Sequence, residues 1–247
     1  MSDHQGTEAA LSGLPEQRGL TGAFDLLGKR HFSCPWPQLD PVLDLGPGRL
    51  VGIGAYHGRR EAVAGLDIAL HTAANGHNSV LFAPELPARN NVPNLRIERG
   101  PEPTPDRIRE TVTNLTALRQ RPEVVVVDDF TLLRLDPPTH HTDAYDPWDD
   151  PDDEDELDPA VREADEIGRQ LKLLATHHDL AVVVMAHITP PFNRTTVLTT
   201  EHLGLAASLE YDADVLLLLR RTDARRVDVH VAKNRNGPTP HHFTADW

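Results

Sequence analysis

The stretch from Arg49 to Ala62 limits the choice of fold most strongly. Residues 50–53 form an apolar run typical of a buried strand, Gly54 and Gly58 follow in a turn, and helical spacing of apolar residues begins at Val63. Strand, glycine turn and helix is a layout that binds nucleotide phosphates, because the N–H groups of the turn and the positive helix end face the anion. The sequence therefore predicts a phosphate-binding type of fold.

The end of this turn lacks the side chains that a working phosphate loop uses. Such a loop ends in Gly-Lys-Ser/Thr, where the lysine neutralises the terminal phosphates and the hydroxyl holds magnesium. Here the three positions are Arg60, Glu61 and Ala62. Glu61 puts a negative charge where the polyanion needs a cation. Arg59 or Arg60 could supply that cation, so a rebuilt phosphate site stays open as the alternative.

Apolar runs recur after the turn at the spacing of alternating strands and helices. Continuous runs of this kind are typical of parallel strands that are buried on both faces. The pattern predicts an α/β fold with a single, mostly parallel, doubly wound sheet flanked by helices. The predicted strands are 50–53, 79–83, 124–127, 180–185 and 215–219, with the alternating segment 227–232 nearer an edge.

Two helix starts are marked by a capping side chain followed by proline. Thr104 precedes Pro105, and Asp158 precedes Pro159, so each pair offers an N-cap oxygen and a residue preset for the first helical turn. A short helix is also expected within residues 20–29. These signals place helices after the second and third predicted strands.

We expect one domain with a long insertion. Residues 1–18 are polar and without periodicity, which favours a flexible tail, and residues 19–247 read as a single domain. The segment at about 135–158 is rich in Asp, Glu and Pro, so it is expected to form a mobile surface loop. Its carboxylate spacing matches no calcium loop.

Composition excludes some classes of function. The net charge of −14 disfavours non-specific adhesion to nucleic acid, although much of it lies in the acidic insertion. No apolar run has the length of a membrane span, and no signal peptide pattern opens the chain, so no membrane partner is expected. Cys34 is the only cysteine, which makes a reducing cytoplasm the simplest location.

Polar residues at predicted strand ends are the candidates for chemistry. Asp128 ends one buried strand and Glu85 follows another, where parallel sheets bind ligands. Lys233 and Arg235 stand two residues apart, so they project from the same face of a strand. Each of these residues alone is more often an ordinary surface group, and together they are more informative.

Several motifs, in order along the chain, resemble one family. They are Leu45-Gly46-Pro47-Gly48, then Val125-Val126-Val127-Asp128, then Ser208-Leu209-Glu210-Tyr211-Asp212-Ala213-Asp214, and last Lys233-Asn234-Arg235-Asn236-Gly237-Pro238-Thr239. Over roughly residues 35–245 the chain looks like the C-terminal, RecA-like motor domain of DnaB-type replicative helicases. RadA-type recombination ATPases share the Lys-Asn-Arg element, but the Asn-Gly-Pro that follows fits DnaB better.

The resemblance implies a role for each matching residue. Asp128 matches the Walker B aspartate, which orients magnesium when nucleotide binds, and Glu85 matches the glutamate that activates water. His187 takes the place of a polar sensor that is usually Gln. Lys233 and Arg235 match the pair that reaches into the neighbouring subunit's nucleotide site.

The positions that would contact the nucleotide, and the cofactors themselves, also come from the resemblance. The nucleotide-contacting positions are Gly54, Gly58, Arg59, Arg60, Glu61 and Ala62. ATP and magnesium are the implied cofactors if the protein is active.

A second departure from the family concerns DNA. The family carries an Arg-Glu-Ser-Gly loop that contacts single-stranded DNA, whereas this chain reads Gly204-Leu205-Ala206-Ala207. Together with the altered phosphate loop, this favours a degenerate homologue that acts as a regulatory or structural subunit in DNA replication or a related process. Its expected partners are further copies in a ring or filament, or an intact replicative helicase. The alternatives are an active ATP-dependent helicase and a non-enzymatic interaction module.

Overall fold

The computed structural model describes most of the chain apart from its start and several loops. The described residues are 23–24, 30–56, 63–83, 92–100, 103–136, 158–189, 197–237 and 241–247. The predicted tail, the loop residues Gly58 to Ala62, Glu85 and all but the ends of the acidic insertion lie outside these ranges.

A mixed sheet of eight strands forms the centre of the protein. Its strands are β3 (Leu50–Ala55), β4 (Ser79–Phe82), β5 (Leu95–Glu98), β6 (Val124–Val127), β7 (Ala181–His187), β8 (Val215–Arg221), β9 (Arg226–Asn234) and β10 (His241–Asp246). Their spatial order is β10-β9-β8-β3-β7-β6-β4-β5. Strands β3 to β8 run parallel, and the β9–β10 hairpin adds to β8 in antiparallel pairing. The predicted, mostly parallel sheet is confirmed.

Helices cover both faces of this sheet. They are α1 (Asp40–Leu43), α2 (Ala64–Ala74), α3 (Pro105–Ala117), α4 (Pro159–His178) and α5 (Leu209–Asp212), with 3₁₀ helices at Phe130–Leu132 and Thr200–Ser208. Successive residues of one strand enter different cores: Val126 packs in the core that contains Ile68 of α2, and Val125 in the core that contains Ile108 of α3. Alternating burial of this kind is the doubly wound arrangement. No helix of the described chain is long and apolar enough to cross a bilayer.

Both predicted helix starts are confirmed by their caps. The side chain of Thr104 accepts a hydrogen bond from the backbone N–H of Arg107 at 3.2 Å. The side chain of Asp158 accepts from the N–H of Ala160 at 2.9 Å. Each bond satisfies a donor that the first helical turn leaves unpaired.

The beginning of the chain differs from its prediction. Where a short helix was expected within residues 20–29, two short strands, β1 (Ala23–Phe24) and β2 (Arg30–His31), pair in antiparallel fashion. The helical pattern there was only a few residues long, and an isolated helix of that length is marginal.

The C-terminal residue packs on the segment before α1. The indole rings of Trp36 and Trp247 stack with centroids 3.8 Å apart and an interplanar angle of 18°. Trp247 also donates its backbone N–H to the carbonyl oxygen of Arg225 at 2.7 Å. The stacked pair therefore ties the end of the β9–β10 hairpin to the segment that precedes the sheet.

Gly65 sets how closely α2 approaches the sheet. A Cβ atom at this position would lie 2.8 Å from Cγ of Met185 and 2.9 Å from Cγ1 of Val126. Gly65→Ala should therefore destabilise the protein by about 1–3 kcal/mol through overpacking, although alanine is the better helix former. Urea unfolding followed by circular dichroism measures the change.

Gly168→Ala in α4 is the matched control. Its Cβ would meet Oδ2 of Asp212 at 3.4 Å and Cδ2 of Leu209 at 3.9 Å, which are ordinary contacts. Helix propensity should then make this substitution neutral or stabilising by up to about 1 kcal/mol. Equal stability of the two variants would show that the close approach at Gly65 does not matter.

Candidate functional site

The carboxyl ends of β3, β4, β6 and β7 meet at one side of the sheet, here called the carboxyl edge. Asp128 follows β6 directly, and its backbone N–H donates to the carbonyl oxygen of Phe82 at 2.8 Å. His187 is the last residue of β7 and lies in register with Ala55 at the end of β3. The fold thus brings Asp128 and His187 to the edge where open α/β sheets bind their ligands.

Asp129 is the second carboxylate at the carboxyl edge, and no role is predicted for it from the sequence. Its Oδ2 lies 3.1 Å from Nδ1 of His187. Its Oδ1 accepts hydrogen bonds from the N–H and the hydroxyl of Thr131, both at 2.8 Å. Burial alone would raise the pKa of Asp129, but the hydrogen bonds from His187 and Thr131 lower it below its ordinary value. Asp129 is therefore ionised at neutral pH and fixes the orientation of His187.

The backbone of Asp129 is strained. Its φ of 98° lies in the region that favours glycine, and its side chain starts the 3₁₀ helix Phe130–Leu132. Such conformations persist where surrounding contacts hold them, and they concentrate at functional sites. The adjacent pair Asp128-Asp129 was the signal in the sequence that could have identified this residue.

Gly54 lies within β3, because the strand continues to Ala55, two residues beyond its predicted end. A Cβ at Gly54 would lie 2.5 Å from Cδ2 of Leu203 and 2.9 Å from Cδ2 of Leu218. Tight packing thus explains the glycine without any ligand. The other predicted nucleotide contacts, Gly58, Arg59, Arg60, Glu61 and Ala62, lie outside the described residues and stay predictions.

The strand and helix that flank the loop are present in the predicted order. β3 ends at Ala55 and α2 begins at Ala64, with Gly65 in its first turn. The N-cap residue Val63 supplies no side-chain hydrogen bond to that turn. The scaffold of a phosphate loop is therefore in place on either side of residues 57–62.

The described residues fit magnesium only in part. Asp128 and Asp129 offer oxygen ligands of the kind that Mg²⁺ prefers, and Mg²⁺ usually relies on one or two carboxylates plus substrate phosphates. Within the described ranges, no group of three or more His, Cys, Asp or Glu residues could hold a metal by itself. At the loop, Glu61 and Ala62 supply by residue type neither the cation nor the hydroxyl that a triphosphate and its metal use.

Lys233 and Arg235 lie at the opposite side of the sheet, here called the amino edge. Lys233 pairs with Leu216 near the start of β8, and β8 runs parallel to β3. A strand of six residues, the length of β3, spans about 20 Å. The two cations are therefore separated from Asp128 and His187 by the height of the sheet.

Both cations at the amino edge make contacts within the chain. Lys233 Nζ donates to the carbonyl oxygens of Glu210 and Tyr211, the latter at 3.0 Å. Burial, followed by the charge of Arg235, lowers the pKa of Lys233. Nε of Arg235 lies 3.6 Å from Oδ1 of Asp214, and its side chain is half exposed.

Asp214 is a buried carboxylate at the centre of this edge, with a relative exposure of 1%. Its Oδ2 accepts from the N–H of Leu50 at 2.9 Å and from Nζ of Lys172 at 2.6 Å. Arg49 NH1 lies 3.7 Å from its Oδ1. Asp214 thus connects the first residues of β3 and β8 with α4 and with Arg235. The sequence marked it as part of a motif, but its partners are far apart along the chain.

The segment in place of the family's DNA loop is a 3₁₀ helix with an interruption. It spans Thr200–Ser208, and Gly204 within it has φ 56° and ψ −128°. Ala206 is fully buried, while Leu205 is 46% exposed. Residues 204–207 carry no cation that could pair with a phosphate.

Comparisons with known proteins agree with the resemblance. No family model matches the chain. It is similar to two curated proteins named replicative DNA helicase DnaB, from Mycobacterium leprae (strain TN) and Mycobacterium intracellulare, with 40% and 39% identity over 87 residues. The match covers 31% of this chain but only 14% and 15% of those proteins, so it spans a small part of their length.

Two solved structures resemble the chain over most of its length. One shows a DnaB-like replicative helicase and its interactions with primase, at a TM-score of 0.67 and 16% identity, covering 86% of this chain and 60% of that one. The other is an isolated ATPase domain, at a TM-score of 0.64 and 17% identity, covering 85% of both chains. At such identities the likeness is one of fold, and these neighbours are RecA-like helicase ATPase domains.

Proposed function

We propose that this chain, which has the RecA-like fold of the motor domain of DnaB-type replicative helicases, is a catalytically degenerate homologue. In this proposal it acts as a regulatory or structural subunit in DNA replication or a related DNA process. Its own nucleotide pocket is inactive, which is here called a silent pocket. The cations at its amino edge remain able to act on a neighbouring subunit. The expected location is the cytoplasm.

The observation that carries the proposal is the separation of the two halves of the site. Asp128 and His187 lie at the carboxyl edge, whereas Lys233 and Arg235 lie at the amino edge. Cations on the opposite edge cannot complete the chain's own pocket. They would contribute only to a nucleotide held by another subunit, as the resemblance implies.

The phosphate loop supports the silent-pocket half of the proposal. Between β3 and α2, Glu61 stands at the lysine position and Ala62 at the hydroxyl position. Two unit charges 4 Å apart interact by about 4 kcal/mol at an effective dielectric constant near 20. Replacing attraction by repulsion against a triphosphate therefore removes most of the affinity that such a loop supplies.

Asp128→Ala tests this proposal. We expect the purified wild-type chain to hydrolyse ATP no faster than the variant, with magnesium present and with or without single-stranded DNA. Released phosphate and nucleotide binding are measured on the same samples. Metal-dependent turnover by the wild type that is lost in Asp128→Ala would refute a silent pocket.

The second candidate is an active ATP-dependent helicase or translocase with a rebuilt phosphate site. The retained Asp128, the unchanged Glu85 and the loop arginines Arg59 and Arg60 favour it. In that case, replacing both arginines by alanine abolishes nucleotide binding. If affinity is unchanged in the double variant, this candidate fails.

The partner is tested by assembly. Further copies of this chain, as a ring or a filament, and an intact replicative helicase are the two proposed partners. Size measurement of the chain alone and mixed with a helicase distinguishes them. Recovery of no replication protein in a pull-down would favour a non-enzymatic interaction module on the same fold.

A further inference from the structure

A groove of about 590 Å³ runs along the edge strand β5, at the end of the sheet opposite the β9–β10 hairpin. Residues 92–97 line one wall without a gap, and Leu115, Arg119 and Gln120 at the end of α3 line the other. Val80 of β4 also lines the groove. The groove therefore lies between the end of α3 and the last two strands of the sheet, β4 and β5.

The charge of the groove is opposite to that of the protein. Arg96, Arg99 and Arg119 line it, and no Asp or Glu is among the lining residues that the structure describes, although the chain has a net charge of −14. Arg96 forms an ion pair with Glu98. Within the described ranges, no salt bridge involves Arg99 or Arg119. The groove thus presents two cations whose charges are available to a ligand.

Arg119 occupies a backbone position that favours glycine. Its φ is 60°, and α3 ends there with hydrogen bonds from the N–H of Arg119 to Thr116 and of Gln120 to Leu115, at 3.0 and 2.8 Å. This is the C-terminal motif in which glycine is the usual residue. An arginine in the left-handed region is strained, and strain of this kind directs attention to a function of the side chain.

The outer edge of β5 offers a second way to bind a peptide ligand. β5 is the last strand of the sheet and, among the described strands, pairs with β4 alone. The outer edge of such a strand presents N–H and C=O groups that can pair with an added extended peptide. The strand and the arginines would then contact backbone and side chains of the same ligand.

We propose that this groove binds an extended, acidic polypeptide segment of a partner protein, with its backbone along β5 and its carboxylates at Arg99 and Arg119. The features of the groove favour a peptide over single-stranded nucleic acid. Sequence-tolerant binding of nucleic acid uses aromatic stacking, and in the described part of the chain no aromatic side chain lines the groove.

The test uses a short, capped peptide that alternates Glu and Thr, labelled with a fluorophore and titrated with the full chain. We expect saturable binding that weakens as salt is raised, because the contacts are ionic. The same peptide with Gln in place of Glu should bind at least about tenfold more weakly. Equal binding of the two peptides would overturn the proposal.

Arg119→Gly is the decisive variant, because glycine adopts φ 60° without strain and removes only the side chain. Arg119→Gly and Arg99→Gln should each reduce affinity for the Glu peptide about tenfold. Arg225→Gln, on the exposed turn between β8 and β9, should leave affinity unchanged. Thermal unfolding checks that each variant folds. Unchanged affinity in both groove variants, no peptide binding at all, or displacement of the peptide by oligothymidylate at equal concentration would reject the proposal.

Discussion

Replacing Arg60, Glu61 and Ala62 by glycine, lysine and threonine together should raise the affinity for magnesium–ATP by about 100-fold or more. The triple variant gives the backbone room to approach the phosphates, restores a cation and supplies a hydroxyl for the metal. The scaffold needed for this gain is present, since β3 and α2 flank the loop in the required order. Titration calorimetry with ATP and magnesium measures the affinity.

Arg60→Gly alone is the control for this gain. It relieves crowding in the loop but keeps Glu61, so we expect this variant to bind magnesium–ATP no more tightly than the wild type does. ATP hydrolysis by the triple variant is expected to depend on Asp128, which is removed in a second comparison. A wild-type chain that already binds magnesium–ATP as tightly as the triple variant would contradict the silent pocket.

Asp214→Ala should lower the free energy of unfolding by about 3–5 kcal/mol. The substitution removes a fully buried carboxylate and leaves Lys172 Nζ, 2.6 Å away in the wild type, without its charged partner. The N–H of Leu50 loses its acceptor as well. Since a domain is stable by only about 5–15 kcal/mol, the variant should be close to unfolding. Urea denaturation measures the difference.

Asp106→Ala is the matched control. Asp106 forms an ion pair with Arg109 on the surface of α3, and its side chain is 57% exposed. Exposed pairs contribute at most about 1 kcal/mol. If Asp214→Ala lowers the free energy of unfolding no more than Asp106→Ala does, the buried cluster around Asp214 does not stabilise the amino edge.

The parts of the fold that the sequence predicts are those with local signals. Val124–Val127 is a continuous β-branched run, and it is a fully buried parallel strand. Thr104-Pro105 and Asp158-Pro159 mark helix starts with a cap and a proline, and both helices begin there. Each signal lies within a few residues, so no knowledge of distant partners is needed.

The features that local sequence patterns do not predict depend on distant partners. β5 is four residues long and half polar, and it forms because Leu95 and Ile97 pair with β4 at the end of the sheet. β10 forms by antiparallel pairing with β9, which no local pattern reveals. Leu118, the next apolar residue in helical spacing after Leu115, is the C-cap residue of α3 and is 67% exposed.

The candidate site also has a part that local sequence patterns predict and a part that depends on distant contacts. Asp128 and His187 could be placed at one edge because Asp128 follows one recognisable parallel strand and His187 lies at the end of another. The contact of Asp129 with His187 could not be predicted from the sequence, because it depends on a strained φ and on the register of two strands. The arrangement around Asp214 joins residues from Arg49 to Arg235, and only the folded chain brings them together.

The stacked indoles of Trp36 and Trp247 give the protein a built-in optical probe. Their rings are 3.8 Å apart, and close parallel indoles couple their electronic transitions. Near-ultraviolet circular dichroism should therefore report when the β9–β10 hairpin separates from the start of the domain. Comparison with the far-ultraviolet signal of the helices would then distinguish local detachment of the hairpin from unfolding of the whole sheet.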